Sequence, residues 1–174
     1  MTVENSSSGA YLHVDFPDAM EIRFNKARVR RAFIDVGRKL LRDSRRRVSR
    51  RAISEAGHAP GYQSGDLAKS IGYYVPRPSS RRPGFMVKVS HNSKGEGASK
   101  DIPSDAFYPA YLYYGVRRGA RRTKKHKKGA SGGSQWRTAP RENYLAKVMM
   151  DRSYWIQRTL FQALKAAIRP EKVK

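Results

Sequence analysis

The chain has 174 residues, 39% of them hydrophobic and 29% charged, enough for one domain with a modest core. Thirty-seven Lys and Arg stand against fourteen Asp and Glu, a net charge of +23 that favours polyanions or acidic protein surfaces as neighbours. Without cysteine there are no disulfides or thiolate metal sites, no apolar run reaches membrane-span length, and MTVENSSSGA lacks the basic and apolar regions of a secretory signal.

Residues 1–9 are small and polar and are expected to be disordered. From there Ala10, Leu12, Val14 and Phe16 alternate with Tyr11, His13 and Asp15, the pattern of a half-buried strand. Pro17-Asp18 signals a turn, and Met20, Ile22 and Phe24 alternate again, which predicts an N-terminal hairpin. At Asn25, a capping residue, the period changes. Val29, Phe33, Val36, Leu40, Ser44, Val48 and Ala52 recur at three- and four-residue steps, so a helix of about 28 residues is expected before Gly57 and Pro60. Its other faces carry eleven arginines and lysines, from Arg28 to Arg51. A helix so basic must present a cationic surface, if only to water.

His58 to Gly65 reads as a loop, and Leu67–Val75 and Phe85–Ser90 read as strands. Residues 91–105 are polar and rich in Gly and Ser, the composition of a mobile excursion. Phe107 to Tyr114 reads as an aromatic strand closed by Gly115. Residues 117–135 form a long basic loop, also expected to be mobile, with Arg117, Arg118, Arg121, Arg122, Lys124, Lys125, Lys127 and Lys128 and no apolar anchor. A second long helix starts at Thr138 or Asn143, is lined by Leu145, Met149, Ile156, Leu160, Ala163, Leu164 and Ala167, and stops before Pro170. The order of elements predicts a single α+β domain over 10–170, a small antiparallel sheet with two long helices packed on it, and a short tail over 171–174.

Reactive groups do not gather. Asp35, Asp43, Asp66, Asp101 and Asp105 are scattered, as are His13, His58, His91 and His126, without metal-ligand spacing. Gly129 to Gly133 lacks the Lys-Ser/Thr ending of a phosphate loop. No catalytic residue, metal site or cofactor is therefore assigned. The basic loop can touch phosphates, or order against an acidic neighbour. Phe107, Tyr108, Tyr111, Tyr113 and Tyr114 could stack on bases, but their tight spacing on one strand more simply supplies core and a subunit contact, a role for which Trp136 and Tyr144 are also candidates. Gly65 permits a tight turn before a strand, Gly115 can end the aromatic segment at positive φ, and Pro140 suits a helix entry.

Several segments follow one another in a telling order. After the helix containing Ile34-Asp35-Val36-Gly37-Arg38-Lys39-Leu40-Leu41 comes Gly65-Asp66-Leu67-Ala68-Lys69-Ser70-Ile71, then the strand Phe85-Met86-Val87-Lys88-Val89. Tyr108-Pro109-Ala110-Tyr111-Leu112-Tyr113-Tyr114-Gly115 comes next, and Thr138-Ala139-Pro140-Arg141-Glu142-Asn143-Tyr144-Leu145 opens the last helix. Over roughly residues 30–168 the chain resembles the tail-completion, or neck (head–tail connector), proteins of long-tailed bacteriophages. That family carries G-x-L-x-x-S-I, Y-A-x-x-x-E-x-G and A-P-x-x-F-L segments in this order. Its acidic position falls here on Tyr113 and its phenylalanine on Tyr144.

The resemblance implies a non-enzymatic virion protein that forms a homo-oligomeric ring, a hexamer, at the head–tail junction. Genomic double-stranded DNA would pass through the lumen, and other neck and tail proteins with acidic surfaces would meet the cations. The protein would be made in the host cytoplasm and act in the virion, with no membrane partner. Tail terminators and head-completion connectors remain open as neighbouring readings. A basic nucleic-acid-binding protein of ribosomal or nucleoid type is the competing class, which composition alone would favour.

Overall fold

A computed structural model describes residues 2–6, 9–14, 25–50, 54–81, 83–103, 108–118 and 135–168. Among them the architecture is α+β. Strands β1 (Thr2–Ser6), β2 (Gly9–Val14), β3 (Ile71–Tyr74) and β4 (Phe85–His91) form an antiparallel sheet in the order β1-β2-β4-β3. Register sets Ala10, Leu12 and Val14 opposite Val89, Val87 and Phe85, the buried positions of β4. The N-terminal hairpin differs from expectation. Its first arm is the 2–6 segment, expected to be disordered, and the arm expected over 20–24 lies outside the described residues.

Helix α1 (Lys26–Arg47) lies across β3 and β4. Asn25 caps it by accepting from the Arg28 N–H at 3.2 Å. It runs 22 residues, short of the expected span, and ends where Val48 turns inward with 1% exposure. Beyond it, the Arg50 carbonyl accepts from the Tyr62 N–H at 2.7 Å. Phe33 packs on Phe85 with ring centroids 5.8 Å apart. Gly37 lies under the Tyr73 ring so closely that a Cβ would overlap it, which lets the helix settle onto the sheet.

The second strand region begins later than expected. Gly65, at φ +80°, introduces one short helix, α2 (Asp66–Ser70), before β3. The aromatic segment is also a helix, α3 (Tyr108–Tyr114), and not a strand. Tyr108, Pro109 and Leu112 face inward at spacings of one and four, a helical pattern, and proline is tolerated in a first turn. Residues 91–103, expected as a loose excursion, are tied back to the sheet. Glu96 exchanges both backbone hydrogen bonds with Tyr73 at 2.9 Å, Asn92 exchanges two with Ile102, and Lys100 sits 2.8 Å from Asp66. These contacts also cover the free edge of β3.

The last helical stretch divides into α4 (Tyr144–Asp151) and α5 (Ser153–Ala167) at Arg152, whose φ of −101° and ψ of 4° leave the helical region. Asn143 caps α4 through the Ala146 N–H, so Pro140 precedes the helix by several residues and is not its entry. Helix α5 runs antiparallel to α1. The Asn25 N–H donates to Ala167 at 2.9 Å and the Arg28 guanidinium to Ala166 at 2.8 Å, which latches the start of one helix to the end of the other. A short ribbon, β5 (Val116–Arg117) and β6 (Trp136–Thr138), completes the described elements.

Candidate functional site

The segments singled out by sequence meet at one corner of the fold. Ser70, at the end of α2, His91, at the end of β4, and Tyr144, at the start of α4, are all buried. The Ser70 hydroxyl donates to the Leu67 carbonyl at 2.9 Å, so its oxygen accepts from His91 Nδ1–H at 2.7 Å. His91 Nε2 then accepts from the Tyr144 hydroxyl. Every group in this relay is satisfied with a neutral imidazole. Burial lowers the His91 pKa from 6.5 to about 4 and raises that of Tyr144 well above its usual value. Tyr108 is pushed up to about 12 by burial, with a further contribution from the nearby Asp66 carboxylate.

The relay resembles a nucleophile and base only in composition. A catalytic serine hands its proton to the imidazole and faces a substrate; here the Ser70 proton points to a carbonyl and the side chain is 0% exposed. Its chemistry is that of a structural polar pin. Sequence inspection gave His91 no such role, because its partners lie 21 and 53 residues away along the chain.

Around this pin the other motif residues close. The Arg141 N–H donates to the Leu112 carbonyl at 2.7 Å, joining the last motif to α3. Gly115, at φ +77°, ends α3, where its N–H donates to Tyr111, and a Cβ there would stand 2.7 Å from Trp136 and 2.8 Å from Pro140. Tyr113 and Tyr114 make an edge-on pair with centroids 5.0 Å apart, Tyr108 is half-buried, and Tyr111 is exposed.

The basic loop leaves from this corner. The Arg117 guanidinium stacks 4.6 Å from the centre of the Trp136 ring, opposite it in the ribbon, and Arg118 donates to Gln135 at 2.8 Å. These contacts hold together the two ends of the 119–134 connection. Arg121, Arg122, Lys124, Lys125, Lys127 and Lys128 lie outside the described residues.

The arginines of α1 divide into two groups. Arg30 donates to Val75, Arg45 to Ile71 and Gly97, and Arg47 binds Glu142 through two nitrogens at 3.0 Å each and reaches Asp151 at 3.3 Å. These fasten the helix to the fold. Arg31, Arg38, Arg42 and Arg46, spaced 7, 4 and 4, point to solvent, and only Arg38 among them meets carboxylates of the described residues, Asp35 and Glu96, at 3.9 Å. At the end of α1 an open cleft of about 820 Å³ lies against α4 and the 54–61 loop. Its lining holds four arginines and four carboxylates, with Arg47 paired to Glu142 and Asp151 and Arg152 to Asp43, so it carries no excess of positive charge. Among the described residues no cluster of His, Asp or Glu could hold a metal, and no helix is long and apolar enough to cross a membrane.

Compared with known protein families, curated proteins and solved structures, the chain matches none.

Proposed function

We propose that the protein is a structural subunit of a tailed-phage particle, forming a homo-oligomeric ring at the head–tail junction and carrying no catalytic activity. The observation that supports this reading is the meeting of the three motif segments at one buried corner. Ser70 of G-x-L-x-x-S-I is linked to Tyr144 of the last motif through His91, and Leu112 and Gly115 of the tyrosine-rich segment meet Arg141 and Pro140 of that same last motif directly. Motifs whose residues hold one another in place specify a frame, and a frame whose ribbon holds the ends of a cationic connection suits a subunit that meets DNA or an acidic neighbour in a ring lumen.

Electron microscopy of the particle that contains this chain tests the proposal. A closed ring of the subunit between portal and tail tube is the expected result, and the layer it occupies separates tail completion from tail termination and head completion. The exposed row Arg31, Arg38, Arg42 and Arg46 favours the second reading, a basic nucleic-acid-binding protein. Absence of the chain from particles, together with a salt-sensitive shift of duplex DNA, would decide for that reading.

A further inference from the structure

The outer face of α5 carries a pattern that the core does not use. Tyr154, Arg158, Phe161, Lys165 and Ile168 follow at steps of 4, 3, 4 and 3, which brings them within about 40° of one line at the helical period. That line is the solvent apex of the helix, opposite the buried Ile156, Leu160 and Ala167. Tyr154 is 76% exposed and Phe161 69%, and Ile168 at the C-cap of the helix is exposed as well. No acidic residue occurs in α5, while the stripe itself interleaves two cations with its apolar side chains.

We propose that this ridge docks an acidic amphipathic helix of another protein. Its apolar residues would pack on Tyr154, Phe161 and Ile168, and its carboxylates would face Arg158 and Lys165. Within α5, from Tyr154 to Lys165, the stripe spans ~17 Å, about three turns of a partner helix. Interleaved charge argues against two other occupants. A membrane-lying helix keeps cations on its flanks, whereas Arg158 and Lys165 stand in the middle of the apolar line. Packing of α5 on the α5 of a second copy would set Arg158 and Lys165 against their like, since the helix offers no acid to meet them. Single-stranded nucleic acid is the weaker fit, since Tyr154 and Phe161 are ~10 Å apart along the helix and the stripe ends in the aliphatic Ile168, which does not stack on bases. The inference is independent of the ring reading.

The test uses the full chain and two designed helical peptides of equal length, one with Leu/Glu heptads and one with Leu/Lys heptads, followed by fluorescence anisotropy. Three variants separate the ridge from the overall charge: Phe161→Ser, Arg158→Glu with Lys165→Glu, and, as a control with the same charge change, Arg42→Glu with Arg46→Glu on α1. The Glu peptide should bind the wild type. Binding should weaken about tenfold or more in the first two variants and less than about threefold in the control, and the α5 double reversal should gain affinity for the Lys peptide. Unchanged folding of each variant is checked by circular dichroism. Equal losses in the α5 and α1 reversals would overturn the proposal, because binding would then follow net charge. It would also be overturned by loss of self-association in Phe161→Ser at equilibrium sedimentation, which would assign the ridge to a second copy. Binding of an oligothymidine or of anionic vesicles that needs Phe161, with no peptide binding, would overturn it in the same way.

Discussion

His91 has the most exacting surroundings of any single residue described. Its Nδ1 faces the Ser70 oxygen and its Nε2 the Tyr144 hydroxyl, inside a shell that leaves it 7% exposed. The folded pKa of about 4 lies below the unfolded value of 6.5, so between those pH values the unfolded chain binds a proton that the folded chain does not. Stability therefore falls as pH drops through that window, by about 3 kcal/mol at most from this group, and the contribution levels off below pH 4. Denaturant melts at pH 7 and 4.5 should show the loss in the wild type and much less of it in His91→Gln, itself less stable at neutral pH. Equal slopes in both would mean that the carboxylates alone govern acid unfolding. Tyr144→Phe leaves Nε2 buried without a donor and should cost about 1–3 kcal/mol at pH 7. Gly115→Ala adds a Cβ at positive φ and against Trp136 and Pro140, and should lower stability by about 1–3 kcal/mol. A neutral result there would show that the ribbon base yields.

At the scale of elements, α1 holds the fold together through only some of its arginines. Arg47 binds Glu142 bidentately with both side chains partly buried, whereas Arg42 projects from the opposite face. Arg47→Ala should destabilise by about 2 kcal/mol, since it strands the Glu142 carboxylate, while Arg42→Ala should stay within about 0.5 kcal/mol. Thermal melts of the two variants compare them directly; similar losses would mean that α1 acts through its overall charge. Much of this level was legible in the chain. Asn25 and Asn143 both cap helices, and the periodic positions from Val29 to Leu40 are buried. The aromatic helix α3 was not, because tyrosine is common in strands and only the burial of Tyr108 and Leu112 on one side shows the period of four. The fastening of residues 91–103 was equally hidden, since it depends on Tyr73, Ile102 and Asp66 being close in space.

For the whole molecule, the +23 charge is the dominant fact, and ten of the thirty-seven cations stand in the exposed row of α1 and the 119–134 connection. Replacing 119–134 with a two-residue turn removes six cations from a ribbon whose ends are already held by Arg117, Trp136 and the Arg118–Gln135 hydrogen bond. The shortened protein should melt at nearly the same temperature. If the connection meets duplex DNA, the salt slope of binding should fall by up to about 5, as six phosphate contacts require. An unchanged slope would place any DNA binding on cations outside the connection, the row Arg31, Arg38, Arg42 and Arg46 among them. Either result bears on what fills the lumen of the proposed ring.

By itself the sequence determined the α+β class, the charge, the caps of the main helices and the apolar faces they bury, because periodicity and capping are local properties that a chain carries without its fold. Tertiary structure decided which arginines are fasteners and which are surface, that α3 is a helix, and that Ser70, His91 and Tyr144 form one pin. Each of these depends on groups far apart in sequence being desolvated together. Burial of that kind, which makes His91 neutral and leaves the α5 stripe in water, is set by the packing of several elements and is not written in any one of them.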